Sequence, residues 1–155
     1  MRKMKQKTKS DHEAAQLAAI RVRGITGVKT NVEDTLNMLR IYKNNYCCVL
    51  QNTPINIGML NKAKDYITWG EIDDETFKIL IEKRGEEFKG RETDSKNKIK
   101  YNDYIIINNK KIKKYFRLNP PKKGFEREGI KHSYQAGGAL GYRGTAINDL
   151  IKRMV

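Results

Sequence analysis

The stretch LAAIRVRG, Leu17 to Gly24, decides how this chain folds. Its first residues are apolar without interruption, and Ile20 and Val22 then alternate with Arg21 and Arg23, the two-residue period of a β-strand with one face toward a core. The glycines of GITGVKT, Gly24 to Thr30, end that strand in a loop. Thr30 stands three residues before Glu33, the spacing of a capping box, and Val32, Leu36, Leu39 and Tyr42 recur at helical intervals after it. An amphipathic helix of about three turns is expected there.

Outward from this pair the alternation of strand and helix continues. YCCVLQ (Tyr46–Gln51) reads as a second strand closed by the turn signal NTP at Asn52–Pro54. A shorter helix over residues 55–64 presents Ile57, Leu60 and Ala63, and YITWGEI (Tyr66–Ile72) reads as a third strand. Asp73, Asp74 and Glu75 crowd the first turn of another helix, where negative charge complements the dipole; Phe77, Leu80 and Ile81 form its apolar stripe and Gly85 stops it. The expected fold class is therefore α+β, a small three-stranded sheet in the order β-α-β-α-β with helices packed on it. The pattern alone also allows a parallel pair of strands through a crossover.

Beyond Gly85 the chain is polar and charged to Lys100 with no apolar period, which reads as a linker or solvated loop. YIII at Tyr104–Ile107 is a strand or a helix segment, and periodicity does not arbitrate. At the end of the chain Thr145 is placed to cap a last helix that carries Ile147, Leu150, Ile151 and Met154 on one side, a stripe that must dock on the body. Three regions are expected: a basic amino-terminal arm over residues 1–15, an α+β core over 16–85, and a basic extension over 86–155.

Charge separates these regions. The chain has 155 residues, room for one ordinary domain with an appendage. Its net charge is +14, of which residues 84–155 contribute +10, with eighteen Lys/Arg against eight acids. Residues 14–83 are nearly neutral, nine against eight. A bland body with cationic extensions points to a polyanionic partner. No segment reaches the roughly eighteen apolar residues of a membrane span, and no apolar core follows the positive amino terminus, so a cytoplasmic protein is expected. Cys47 and Cys48 are adjacent, which suits neither a disulfide framework nor a zinc site, and they read as plain strand residues in a reducing compartment. His12 and His132 lack carboxylate or cysteine partners at ligand spacing. With no nucleophile, base and orienter in sight, no enzyme activity, cofactor, metal or small-molecule substrate is expected.

The cationic half has a texture of its own. Residues 110–131 hold nine Lys/Arg against Glu126 and Glu128, with Tyr115, Phe116 and Phe125 interleaved. Within it RLNPPKKGFERE (Arg117–Glu128) has two prolines that stiffen the backbone and a glycine that bends it, a display made to be read from outside. Interleaved aromatics and positive charge suit nucleic acid, and the lack of a basic recognition helix favours structured RNA over duplex DNA. AGGALGYRG (Ala136–Gly144) does not fit the dinucleotide fingerprint, and no Walker lysine follows it. Its glycines serve unusual backbone angles before a helix, close approach to a phosphate, or both, with Tyr142 available to stack and Arg143 to pair.

Taken together, LAAIRVRGITGV, NVEDTLNMLRIYKNN, NTPINIGMLNKAKDYITWGEI, FRLNPPKKGFEREGIKHSYQAGGALGYRG and INDLIKRM resemble a large-subunit ribosomal protein family, numbered thirty in universal nomenclature and seven in the older eukaryotic naming. The bacterial members stop after the third strand, and the cytosolic eukaryotic members carry a long basic amino-terminal extension, so the likeness is to the archaeal form. The resemblance implies a largely antiparallel sheet of ferredoxin-like kind and a non-enzymatic protein. It implies large-subunit rRNA as partner, near the 5S-type RNA, with neighbouring ribosomal proteins around it. It also places RNA against the loop after the first strand and the end of the first helix, which here means Arg23, Thr26, Lys29, Arg40 and Lys43. In the extension the candidates are Arg117, Lys122, Lys123, Arg127, Lys131, His132 and Arg143, with Phe125 and Tyr142 as stackers. The competing expectation is a free RNA-binding module or RNA chaperone outside the ribosome.

Overall fold

Strand β1 (Gln16–Arg21) is buried on both faces: Leu17, Ala18, Ala19 and Ile20 are each no more than 2% exposed. That burial follows from its place at the centre of a five-stranded sheet in a computed structural model that describes residues 15–155. All but the last residue of the expected amino-terminal arm lies outside the described residues. In chain order the remaining elements are α1 (Thr30–Met38), β2 (Tyr46–Gln51), α2 (Pro54–Lys62), β3 (Ile67–Glu71), α3 (Asp74–Arg84), β4 (Tyr104–Ile107), β5 (Lys110–Lys113), β6 (Tyr115–Arg117), β7 (Gly141–Tyr142) and α4 (Ala146–Met154).

The sheet order is β6-β2-β1-β3-β7. β1 pairs antiparallel with β2 (Ala19 opposite Cys48) and with β3 (Ala19 opposite Trp69), so β2 and β3 run parallel to each other on either side of it. The crossover allowed by the sequence pattern exists, but it spans the central strand through α2. The three strands expected from the sequence form the middle of the sheet. The sheet is larger than expected because the extension adds a strand to each edge, β6 antiparallel on β2 and β7 parallel on β3.

Helices cover the two faces. Leu17, Ala19 and Cys48 pack with Leu36 and Leu39 of the α1 region and Leu60 and Ala63 of the α2 region. Ala18, Ile20 and Cys47 face the other way, onto Leu80 of α3, Phe116 of β6 and Ile147, Leu150, Ile151 and Met154 of α4. The stripe read on the last helix is thus buried, all four residues at 0% exposure. The paired cysteines are free and buried on opposite faces, and burial pushes the Cys48 thiol up to about 12, which leaves it inert.

Several local expectations are revised. Arg21 does not alternate outward with Arg23 but is 2% exposed. Thr30 is not a cap: Lys29 occupies the cap position, and its carbonyl accepts from the Val32 and Glu33 amides. α1 also ends before Tyr42. Arg40 adopts φ 61, its amide donates to the Asn37 carbonyl, and the Ile41 amide donates to the Leu36 carbonyl, which closes a Schellman motif with arginine where glycine is usual. Thr145 makes no side-chain cap on α4. Instead Asn148 ties that helix to the β3–α3 junction, donating to the Glu71 carbonyl (3.1 Å) and accepting from the Asp73 amide (2.9 Å). YIII is a strand, paired with β5 through Asn108 and Asn109 at φ 50 and 61, the backbone of a two-residue hairpin turn.

Gly70 and Gly138 let backbone approach backbone. A Cβ on Gly70 would lie 1.9 Å from the Gly144 carbonyl oxygen, and one on Gly138 would lie 2.2 Å from that of His132. Neither position tolerates a side chain without displacement of the strand or turn beside it.

Because α4 fills one face of β1, truncating it should unfold the whole body. Leu150→Ala is expected to lower stability by about 2–5 kcal/mol in urea titration, with β1–β3 and α4 lost in one transition. A first transition confined to the extension, with the β1–β3 core melting where it does in the parent, would refute the shared core.

Candidate nucleic-acid interface

Register determines where the basic loops emerge. Ile20 lies opposite Cys47, Arg21 opposite Ile67, and Tyr46 opposite Arg117. The end of β1, the starts of β2 and β3 and the end of β6 therefore share one end of the sheet. The loop after β1, the segment leading into β2 and the RLNPPKKGFERE loop all open there. Val22 from the first, Phe125 from the last and Ala139 and Leu140 from the glycine-rich segment pack into one small cluster that binds these loops together. The opposite end holds Glu71, at the end of β3 opposite Leu17, and Asp73, Asp74 and Glu75 at the start of α3. Charge is polarised along the strands.

Two buried arginines frame the basic end. Arg21 Nε donates to the Arg23 carbonyl (3.0 Å), Nη2 to that of Gly24 (3.0 Å), and Nη1 to those of Ile41 (3.1 Å) and Tyr42 (3.4 Å). One guanidinium thus fixes both segments flanking the site. No carboxylate touches it among the described residues, and burial pulls its pKa below the ordinary value. Arg143 is the second. Its Nε donates to Thr68 Oγ1 (2.7 Å), Nη2 to the Ala139 carbonyl (2.9 Å) and Nη1 to Glu126 Oε1 (3.0 Å), while the group lies 4.9 Å from the Tyr134 ring centre. Burial lowers its pKa and Glu126 opposes that shift.

The loop RLNPPKKGFERE is held from behind by α4. The Asn119 amide donates to the Met154 carbonyl (3.0 Å) and the Lys122 amide to that of Arg153 (3.1 Å). Arg153 Nη1 returns bonds to the carbonyls of Gly124 (2.7 Å) and Lys122 (3.3 Å). The Gly124 amide closes a turn onto the Pro121 carbonyl (3.2 Å) with Lys123 at φ 68, a left-handed conformation unusual for lysine. Both lysine side chains are exposed at the tip with no ion pair among the described residues.

The sequence candidates fall into distinct settings. Thr26, Lys29, Lys43, Lys122, Lys123, Arg127, Lys131 and His132 are exposed. Arg23 is half-buried, its guanidinium 5.2 Å from the Tyr66 ring centre. Arg117 is exposed and paired with Glu86, which also holds Lys113 at 2.9 Å. Arg40 is drawn to the flank where β6 begins, donating to the Asn102 carbonyl (2.9 Å) and to Asp103 (3.0 Å). Phe125 is packed in the cluster that joins the loops. Tyr142 is 48% exposed, its hydroxyl donating to Glu71 at 2.5 Å. Among the described residues there is no cluster of three metal-ligating side chains, and no helix is long and apolar enough to cross a membrane.

This arrangement, a basic end on a β-α-β-α-β body completed by a carboxy-terminal extension, has relatives. Residues 17–67 match the family described as ribosomal protein L30p/L7e. Three archaeal proteins named large ribosomal subunit protein uL30 align along most of the chain. The one from Methanopyrus kandleri is 41% identical over 149 residues, 86% of this chain and 100% of the relative. The one from Nanoarchaeum equitans is 42% identical over 155 residues, covering 91% and 99% of the two chains. The one from Thermoplasma volcanium is 43% identical over 155 residues, covering 90% and 92%. The chain belongs to the L30p/L7e family. The family match stops at the start of β3, whereas the alignments with the archaeal uL30 relatives cover 86–91% of this chain.

Arg21, Glu126 and Arg153 were missed as organisers of the basic end. An i,i+4 spacing does mark Arg153 against Asp149, and its Nε meets that carboxylate at 3.0 Å, but nothing in the sequence couples it to a loop some thirty residues away. Framing and display should separate experimentally. Arg143→Met removes the donor to the buried Ala139 carbonyl and the nearer cation of Glu126, which keeps Arg153, and is expected to destabilise by about 1–3 kcal/mol in thermal melts. Lys122→Ala with Lys123→Ala should stay within about 0.5 kcal/mol of the parent. Equal losses would make the loop tip a structural element.

Proposed function

We propose that this protein is a structural constituent of the large ribosomal subunit that binds large-subunit rRNA through the basic end of its sheet. The observation that carries this is convergence: the loop after β1 and the RLNPPKKGFERE loop, nearly a hundred residues apart in sequence, are packed together through Val22, Phe125, Ala139 and Leu140. Exposed cations stand around that joint while the acids at the end of β3 and the start of α3 lie at the far end. The names of the archaeal relatives supply the ribosomal context. Neighbouring ribosomal proteins, and 5S rRNA close by, complete the proposed surroundings.

Lys29, Lys43, Lys122, Lys123, Arg127 and Lys131 act as phosphate contacts, with Thr26 and His132 donating hydrogen bonds beside them. Arg21 and Arg143 set the geometry from inside and add positive potential without needing to touch RNA. Binding releases condensed counterions, so log affinity should fall with log salt by about 0.7–0.9 per phosphate contacted. Alanine at Lys122 and Lys123 should make that slope shallower by about one per lysine. An affinity for rRNA that is flat between low and moderate salt would rule the reading out. A free RNA chaperone is separated by washing: a subunit constituent sediments with large subunits after high salt, and a transient module does not.

Lys123 offers a sharper test. Glycine adopts a positive φ without the strain that lysine bears, so Lys123→Gly should hold or raise the melting temperature while weakening rRNA binding. A fall in stability with unchanged binding would show that the residue serves the fold alone.

A further inference from the structure

One cleft is not used by the phosphate contacts above. It lies between the end of α2 and the β7 edge of the sheet, with a volume of about 290 Å³, and is lined by Asn61, Lys64, Trp69, Ser133, Gln135 and Tyr142 among others. Trp69 and Tyr142 are neighbours across the β3–β7 pair, so their rings project on the same face of the sheet, with centres 6.2 Å apart and planes at 52°. Trp69 is almost wholly buried and forms a fixed wall, while Tyr142 is half exposed.

Tyr142 is not free to swing. Its hydroxyl is held by Glu71, which also raises the phenol pKa, so the ring is presented in one orientation. Around this rigid aromatic platform, the side chains of Asn61, Lys64, Ser133 and Gln135 make no hydrogen bond or ion pair with other described residues. The cleft therefore pairs an exposed ring face with amide, hydroxyl and ammonium groups whose hydrogen-bonding capacity is unspent. Amides match the donor and acceptor edges of a base, and the ammonium matches its phosphate.

We propose that this cleft receives one unpaired nucleobase of the bound RNA, stacked on Tyr142 and read at its edge by Asn61 and Gln135, with Lys64 on the adjoining phosphate. The inference rests on the RNA-binding reading and specifies it: the partner contributes an unstacked nucleotide at this point, not a continuous duplex. The Glu71 tether lowers the entropy lost when the base lands.

Trp69 is the only tryptophan in the chain and reports directly on the cleft. Titration of the full-length protein with single-stranded pentaadenylate or pentauridylate should quench and shift its fluorescence. A short blunt RNA duplex should bind through phosphate contacts and leave the emission unchanged. Tyr142→Leu should weaken the single strands about 5- to 100-fold and spare the duplex. Should that variant fail to fold, Gln135→Ala, at an exposed position, is expected to weaken the single strands about 2- to 10-fold with the quench reduced. If both RNAs bind with Trp69 emission unmoved, or if these variants bind the pentanucleotides like the parent, the base site is overturned while RNA binding stands. If neither RNA binds, the functional reading falls and the cleft with it.

Discussion

Burial of both faces of β1 is the constraint on which the rest of the fold depends. Ala18 and Ile20 point away from α1 and α2, and β1–β3 with those two helices would leave that face of the sheet open to water. Leu80 of α3 covers part of it, and the rest comes from far downstream, where β6 adds Phe116 and α4 lays Ile147, Leu150, Ile151 and Met154 across it. The close approach at Gly70 and Gly144, the Asn148 bridge and the edge strands β6 and β7 all serve to seat α4 on this face. A chain that must return to the sheet in this way also delivers its longest basic loop to the end where β1 emerges.

Seating and function are therefore the same event. The loop RLNPPKKGFERE leaves β6 at that end because β6 pairs antiparallel with β2, and it stays there because Asn119 and Lys122 bond to the last residues of α4. Phe125, expected from the sequence to be a stacker on RNA, is where the loop grips Val22 and the glycine-rich segment. An apolar anchor beneath two exposed lysines lets the Lys123 backbone hold a left-handed conformation that an untethered loop would relax.

The core strands and the helices were legible because each carries a repeating apolar period and a clear stop: YCCVLQ coincides with β2, and α3 begins at its acidic cluster and ends at Gly85. The errors have physical causes. Arg21 read as exposed because alternation assigns charge to water, but four backbone carbonyls can replace water when two loops curl around one guanidinium. Thr30 and Thr145 have capping chemistry one residue away from, or in the wrong backbone conformation for, the cap itself. The hairpin after Tyr104 had a readable signal in Asn108 and Asn109, side chains that tolerate positive φ, though not in its apolar run. Of the site, the cationic residues were legible by type. Their sorting into buried frame and exposed tip was not, because partners such as Glu126 for Arg143 are set by tertiary contacts alone.

That sorting follows the chemistry of the two cations. Gathering positive charge at one end of a small body raises its energy through self-repulsion, and the few acids nearby must offset it. Glu126 does so between Arg143 and Arg153, and Glu86 between Lys113 and Arg117, each carboxylate serving two cations inside the framework. Three of those four cations are arginines, whose planar fork holds several acceptors in fixed directions and so suits a frame. Lys122 and Lys123 stand beyond the reach of either carboxylate, and an ammonium on a flexible stem can follow a phosphate wherever the RNA backbone places it. The protein thus gives carboxylate partners to Arg143, Arg153, Lys113 and Arg117, holds Arg21 by carbonyls alone, and leaves the cations at the loop tip unpaired among the described residues. The repulsion that remains there is relieved only when an external polyanion arrives, which makes the basic end a poorer neighbour for itself than for RNA.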